Sequence, residues 1–244
     1  MEDRSAWVSW GFRLALLAAV IAVLAVLGVR LGVMPLRLAL FAGLGGGALI
    51  ALIAALVSVI GLFLTFKNGT GGRGIAFAAL FLSLAIVLPM GSAMRAGGSV
   101  PPIHDISTDL TDPPAFAAVR AQRTPAHNSL DRSQPENLGA LQVAAYPDLS
   151  PIMIDKHPGE VFEAAVIVAQ DMGWEIVSVA VEEGRIEATD TTFIMGFKDD
   201  IVIRVREEAG KALVDVRSAS RVGESDLGAN ANRIRAFRAK LTAQ

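Results

Sequence analysis

The chain has 244 residues, a net charge of −2 at pH 7 and no cysteine. A charge so close to zero provides no basic field for nucleic acid, so no nucleic-acid partner is expected. The lack of cysteine excludes disulfides, thiolate chemistry and cysteine-ligated zinc. The hydrophobic share of 52% is high for a soluble chain and is concentrated before Arg95, which predicts a membrane-embedded part followed by a soluble part.

Three apolar runs long enough to cross a bilayer as helices occupy the first part of the chain. They cover about 12–29, 38–66 and 75–94, within a predicted transmembrane region of residues 1–98. A signal peptide is the alternative for the first run because Arg4 and Arg13 precede it, but no small-residue cleavage site follows the run. Gly43 and Gly47 are four residues apart in the second run and predict the close approach of another helix.

Basic residues beside these runs predict how the chain is oriented in the membrane. One side carries Arg4, Arg13, Lys67 and Arg73, and the other carries Arg30, Arg37 and Arg95. Four against three favours a cytoplasmic amino terminus and a periplasmic soluble domain. The sequence therefore predicts a multi-pass protein of the inner (cytoplasmic) membrane, with the lipid bilayer as a partner.

Residues 99–147 are rich in proline, which interrupts helices and strands, and they predict a connecting segment. In its first part, PPIHDISTDLTDPPAF, four apolar residues could pack onto the surface of a domain: Ile103, Ile106, Leu110 and Phe116. The part from about 120 to 139 is polar, which indicates a solvated and mobile stretch.

Residues 148–244 alternate between strand and helix patterns and predict a soluble α+β domain. The predicted order is a strand at 151–155, a helix from about 158 to 172, strands at 174–182, 185–197, 200–207 and 211–219, and a helix from about 227 to 241. Tight turns between successive strands require an antiparallel sheet. Two helices can cover only one face, so we expect a two-layer domain whose other sheet face is polar and open to solvent. Leu227, Ile234, Phe237 and Leu241 would form the apolar side of the last helix.

Two blocks, PPIHDISTDLTDPPAF and VDVRSASRVGESDLGANANRIRAF, resemble the bacterial and plastid family known as domain of unknown function 1499. The resemblance extends over about residues 101–242. It implies a domain that is often attached to membrane helices, and it implies no established activity. The family's two polar patterns correspond here to Arg217, Ser218, Ser220 and Arg221, and to Asp226, Gly228, Asn230 and Arg233.

Seven residues at the end of the last strand and the start of the last helix form the candidate ligand-binding site. They are Arg217, Ser218, Ser220, Arg221, Asp226, Asn230 and Arg233. Two arginines could bind a phosphate or carboxylate, and a helix amino terminus near Asp226 offers backbone N–H groups. Asp226 is also a good N-cap that would occupy those donors, so a structural role for the whole set is the alternative.

His104, Asp105 and Asp109, with Asp112 close to them in the sequence, are the candidates for catalysis, because a histidine beside carboxylates could act as a general base or as a metal ligand. Ordinary capped turns contain the same residue types, so a structural role is again the alternative. No second histidine lies at ligand spacing, and neither a metal nor a cofactor is predicted.

Mixed charges are expected on the open face of the sheet. They come from Glu187, Thr189, Arg204, Arg206, Asp215 and Arg217. Such a face is typically solvated, and the alternative is docking of a protein or lipid head groups.

Two functions stay open at this point. The first is a non-catalytic binding or assembly module of the cell envelope, with an anionic ligand or an envelope protein as its partner. The second is a membrane-tethered hydrolase that acts on an anionic envelope substrate.

Overall fold

The computed structural model describes residues 5–132 and 135–244. The described chain contains two compact units. The first extends to Arg95, and the second comprises the residues from Ala96 onward apart from Ile194–Gly196.

The first unit is built from three long apolar helices. Helix α1 is Ala6–Arg30, the next run consists of α2 (Leu36–Leu38), a π-helical stretch (Ala39–Gly45) and α3 (Gly46–Asn68), and α4 is Arg73–Gly98. The three stretches Ala6–Arg30, Leu36–Asn68 and Arg73–Gly98 are each long and apolar enough to cross a membrane. The three predicted spans are confirmed to this extent.

Small residues bring α1 and the second span into close contact. A Cβ on Gly47 would lie 3.4 Å from the carbonyl oxygen of Ala18, and one on Gly43 would collide with the Cβ of Ala25. Ala18 and Ala25 are both buried on α1. The helix contact predicted for Gly43 and Gly47 is therefore confirmed, and α1 is the partner.

The second unit contains an antiparallel sheet flanked by helices. Its strands are β1 (Asp105–Ser107), β2 (Ile152–Ile154), β3 (Glu175–Ala180), β4 (Arg185–Thr191), β5 (Lys198–Glu208) and β6 (Lys211–Ser220). Its helices are α5 (Leu138–Ala145), α6 (Pro158–Asp171) and α7 (Ala229–Leu241), with 3-10 turns at Ala118–Gln122 and Val181–Glu183. The strand order is β1-β6-β5-β4-β3, and β2 also pairs with β6. The predicted α+β class with an antiparallel sheet is confirmed.

Local signals set the ends of several elements. The Nδ1 atom of His157 accepts a hydrogen bond from the backbone N–H of Gly159 at 3.1 Å, and Pro158 takes the first helical position of α6. Gly184 has a φ of 57°, a left-handed conformation that closes the turn between β3 and β4.

One face of the sheet packs against α6 and α7 to form the main apolar core. Ile203 of β5 and Val216 of β6 are fully buried there, together with Ile234 of α7. Trp174 and Phe237 stack with their ring centroids 5.6 Å apart. Burial of this face provides the hydrophobic driving force for folding of the unit.

Two of the element boundaries that differ from the prediction have a local cause. Strand β4 ends at Thr191 and does not reach 197, because the N–H of Phe197 donates to Thr192 Oγ1 and the N–H of Thr192 donates to the Phe197 carbonyl, both at 2.8 Å. Helix α7 begins at Ala229, so Leu227 precedes it. Leu227 has a φ of 53° and is 44% exposed, and it does not belong to the apolar side of the helix.

The segment predicted as a connection is an integral part of the fold. Strand β1 pairs with β6, residues 108–132 lie over the second face of the sheet, and α5 comes after them in the chain. We call residues 108–132 the covering segment. Its Phe116, Val119 and Leu130 pack on Val202 and Ala219 of the sheet. The expectation of an open polar face is therefore wrong for the described residues, because that face carries buried charges that the segment encloses. Most described residues between 120 and 139 are exposed, as the polar composition predicts, although Leu130 and Leu138 are buried.

This arrangement predicts how shortened chains behave. A fragment that starts at residue 99 is expected to be soluble and to unfold cooperatively, because it retains β1 and the covering segment. A fragment that starts at residue 148 is expected not to fold, because the charged sheet face loses its partners. Circular dichroism during thermal unfolding compares the two fragments. Equal melting temperatures would contradict the structural role of the covering segment.

Candidate functional site

The seven candidate ligand-binding residues lie on both sides of the sheet. Side chains alternate between the faces of a strand, so neighbouring residues of β6 point in opposite directions. Arg217 lies under the covering segment, where its Nε donates to Asp105 Oδ1 at 3.0 Å. Ser218 faces α7 and donates to Asn230 Oδ1 at 2.6 Å. The residues therefore do not form one pocket.

Arg217 is enclosed by acceptors from the protein itself. Its Nη2 donates to Asp105 Oδ2 and to the carbonyl oxygen of Leu130, both at 2.7 Å, and its Nη1 donates to the carbonyl oxygen of Pro114 at 3.2 Å. The guanidinium carbon lies 4.9 Å from the centroid of the Phe116 ring. Arg217 is only 4% exposed. The forked geometry that could hold an external anion is occupied by Asp105.

Asp200 lies between two arginines and is fully buried. It accepts from Arg123 Nε and from Arg221 Nη2, both at 2.7 Å, and from Thr189 Oγ1 at 2.8 Å. Burial acts to raise the pKa of Asp200, but the hydrogen bonds and positive charges of Arg221 and Arg123 outweigh it, so the pKa lies below the ordinary value of 3.8. Arg221 is therefore used internally, like Arg217.

Glu187 attaches the covering segment to the sheet. Its carboxylate accepts hydrogen bonds from the backbone N–H groups of Ala117, Ala118 and Val119, each at 3.0 Å. These donors lie at the start of a 3-10 turn, where backbone N–H groups lack partners within the turn. Arg185 Nε donates to the same carboxylate at 3.0 Å. Glu187 is fully buried, so its charge is satisfied entirely by the chain.

A third group of charges involves Asp109, one of the candidates for catalysis. Buried Asp215 accepts from Arg206 Nη2 at 2.6 Å and from Arg204 Nη2 at 3.0 Å, and Arg204 also lies 3.2 Å from Asp109 Oδ2. Burial acts to raise the pKa of Asp109, but backbone N–H donors of the following turn and the two arginines bring it below the ordinary value. Asp109 is thus a turn cap and an ion-pair partner.

The other two candidates for catalysis are held in the same way. Asp105 accepts from Arg217 and also from Arg132 Nη1 at 2.5 Å. His104 lies at the edge of β1, where its Nδ1 is 3.4 Å from the carbonyl oxygen of Glu224. Its own carbonyl accepts from the N–H of Ser220 at 2.9 Å. These contacts favour the structural alternative for the segment.

On the opposite face, Arg233 of α7 connects the helix to β4 and β5. It donates from Nη2 to Asp199 at 2.6 Å, from Nε to Asp190 at 2.9 Å and from Nη1 to Asn230 at 2.5 Å. Asn230 in turn donates to Ser220 Oγ at 2.9 Å. These polar side chains join the start of α7 to the sheet.

Asp226 occupies the amino terminus of α7. Its carboxylate accepts from the N–H of Gly228 at 2.9 Å and from the N–H of Asn230 at 2.8 Å. Burial raises the pKa of Asp226 above its ordinary value. The backbone donors proposed for an anion are therefore engaged by a side chain of the protein, as the structural alternative predicts. No observation tests ligand binding at the seven residues directly, and it stays a prediction that these contacts do not favour.

An apolar groove of about 440 Å³ lies between α6 and the edge of the sheet. It is lined by Pro158, Gly159, Phe162, Glu163, Val166, Ile167, Val179, Val181, Gly184 and Val205. Ile167, Val179 and Val181 are 53%, 44% and 70% exposed. The sequence interpretation did not identify this site. The sequence does contain a signal for this groove, a second row of apolar residues on α6 beside the buried row that includes Val161 and Ala165.

The fold and these contacts define a protein with three helices of membrane-spanning length and an α+β domain whose buried charges are paired internally. The chain belongs to the family described as protein of unknown function (DUF1499), which matches residues 105–241. The match begins at β1 and ends with α7, so the covering segment lies inside the family domain. The resemblance seen in the sequence is confirmed. A comparison with curated proteins gave no match.

Asp200→Asn tests the internal role of these charges. The change leaves Arg123 and Arg221 buried without a counter-charge, and the free energy of unfolding is expected to fall by about 3–5 kcal/mol. Urea denaturation of the fragment that starts at residue 99 measures this fall. Asp155→Asn is the control, because Asp155 pairs with Lys211 and its side chain is 82% exposed. That exposed pair is expected to contribute less than about 1 kcal/mol.

The contribution of Asp200 to the stability of the domain is expected to depend on pH. Because folding lowers the pKa of Asp200, its contribution is fully present above the unfolded value and is lost as the pH falls below about 4. The wild-type domain is expected to lose stability in that range, and Asp200→Asn to lose it less steeply. Identical acid profiles would contradict the assignment.

Proposed function

We propose that this protein is a non-catalytic assembly module of the cell envelope, anchored in the inner membrane, whose α+β domain is periplasmic and binds an extended apolar segment of an envelope protein. The observation that carries the proposal is the free edge of β3 beside the apolar groove. Strand β3 is the last strand in the order β1-β6-β5-β4-β3, and no other described strand pairs with its outer side.

A free edge strand offers backbone N–H and C=O groups to a further strand. The groove lies against the same strand through Val179 and continues through Val181. Its volume of about 440 Å³ falls within the usual range for binding sites, roughly 300–1,000 Å³. A peptide added along β3 would form backbone hydrogen bonds, and its apolar side chains would enter the groove toward Phe162 and Ile167. Glu163 is the one ionisable residue in the lining, which favours an apolar ligand.

Non-catalytic action is supported by the contacts of the candidate side chains. The hydrolase alternative needs a carboxylate that is available to activate a nucleophile. Asp105 is held by Arg217 and Arg132, and Asp109 by Arg204 and two backbone N–H groups. The arginines that would bind an anionic substrate are occupied in the same way. An anionic ligand at the residues from Arg217 to Arg233 therefore has less support than an apolar partner at β3.

The periplasmic side is supported by the basic residues beside the three spans, four on the amino-terminal side and three on the other. An odd number of spans places the two ends of the chain on opposite sides of the membrane. A reporter that is active only in the periplasm, fused after Gln244, is expected to give signal, and a reporter active only in the cytoplasm is expected to give none. The reverse pattern would contradict the orientation and leave the binding surface unaffected.

The partner is tested by photo-crosslinking in native membranes. A photoreactive residue replaces Ile167 in the groove or, as the control, Val143 of α5, and both native side chains are 53% exposed. The Ile167 position is expected to give a protein adduct that the Val143 position does not give. Mass spectrometry of the adduct identifies the crosslinked segment, which is expected to be apolar and extended.

Two results would contradict this assignment. Equal adducts at both positions would show that the groove has no selectivity. A lipid adduct at Ile167, with no protein adduct, would show that the groove binds acyl chains.

A further inference from the structure

We propose that the turn between β4 and β5 is a second membrane contact, which inserts its apolar side chains into the interfacial region of the bilayer. The turn is formed by Phe193, Ile194, Met195 and Gly196, and we call these four residues the apolar tip. The inference goes beyond the proposed function, because it concerns contact between this turn and lipid, and it holds for either orientation of the chain.

The apolar tip is presented by a closed turn. Thr192 and Phe197 exchange two hydrogen bonds at its base, and both are 2.8 Å long. Gly196 has a φ of 70°, a left-handed conformation that glycine adopts without strain. Below this base, Thr191 and Lys198 form the first pair of the β4–β5 ladder. A fixed base holds the tip in one conformation, so little conformational entropy is lost when the tip is buried.

The side chains of the tip are unusually apolar and exposed for a turn. Phe193 is 92% exposed and Ile194 is 61% exposed. Turns at protein surfaces are normally built from Gly, Pro, Asn, Asp and Ser, whereas this turn contains Phe, Ile and Met in succession. A contiguous apolar surface of this kind indicates a contact with another apolar phase.

The short connection between α4 and β1 favours the bilayer as the apolar phase that the tip contacts. Helix α4 ends at Gly98 and β1 begins at Asp105, so six residues separate them. Even when fully extended, that connection spans no more than about 25 Å. The connection therefore limits how far the start of β1 can lie from the end of α4, a helix of membrane-spanning length. Phe is suited to the apolar side of an interface, and a neighbouring lysine can extend its ammonium group to the head groups. Lys198, exposed at the base of the tip, is in position for this.

The chain has no cysteine, so a single substitution gives a unique labelling site. Ile194→Cys carries an environment-sensitive fluorophore in the full chain, reconstituted in vesicles of phosphatidylethanolamine and phosphatidylglycerol. Val143→Cys is the control, because Val143 is similarly exposed, at 53%, on α5. Quenchers are brominated lipids in the bilayer and iodide in the water.

The label at position 194 is expected to lose fluorescence to brominated lipids and to be protected from iodide. The label at position 143 is expected to behave in the opposite way. Adding Phe193→Asp to Ile194→Cys is expected to reduce lipid quenching and restore iodide quenching, and thermal unfolding of the same variant checks that it is folded.

Three outcomes would overturn the proposal. Iodide quenching at position 194 equal to that at position 143 would mean that the tip stays in water. Protection from both quenchers would mean that protein covers the tip. Equal lipid quenching at both positions would mean that the contact is not a property of the tip.

Discussion

The fold of the α+β domain depends on the pairing of the charges buried on the second face of its sheet. An ion removed from water without a partner costs several kcal/mol, so each buried charge on that face requires a counter-charge or a set of hydrogen-bond donors. The covering segment and the strand before it supply much of this requirement. Asp105 neutralises Arg217, and Arg123 joins Arg221 on Asp200. Glu187 in turn holds the backbone of the segment. Sheet and segment are therefore mutually dependent, and neither has a satisfied set of polar groups without the other.

The elements that could be predicted from the sequence are those that local signals determine. Length and apolarity define the three helices of membrane-spanning length, and turn residues between alternating runs define the antiparallel order of β3 to β6. The covering segment could not be predicted in this way. The pair of Asp105 and Arg217 joins residues 112 positions apart, and nothing near either residue indicates the other. Arg123 and Arg132 look solvated in a polar stretch, although their side chains are only 7% and 11% exposed. A polar composition therefore indicates a mobile stretch only when the residues that pair with its charges are not known.

The polar cluster at the end of β6 shows a different limit. The alternation of side chains along β6 already indicated that these residues lie on different faces of the sheet. Val214 and Val216 face the helices, and Ser218 therefore faces them too, while Arg217 points the other way. What the pattern could not show is that the guanidinium groups are consumed internally. The partners of Arg233, for example, come from Asp190 at the end of β4 and Asp199 at the start of β5. Closeness in the sequence therefore predicted one pocket. In the fold, Arg217 and Arg233 belong to two separate sets of contacts, one on each face of the sheet.

The two edges of the sheet are treated differently, and this difference bears on function. The outer side of β6 is closed by β1 and β2, two strands of three residues each. Strand β3 has no such cover from a described strand. It carries an irregularity between Ile176 and Ser178, and bulges of this kind hinder the addition of a further strand. The regular part that remains, from Ser178 to Ala180, borders the apolar groove through Val179. The β6 edge is thus protected against the addition of a further strand, and so is half of the β3 edge. The unprotected half of β3 is the one that lies beside the apolar groove. An edge left open only by chance gives no reason for this coincidence, whereas the proposed binding edge would account for it, since backbone pairing would supply affinity and the adjoining groove would supply selectivity.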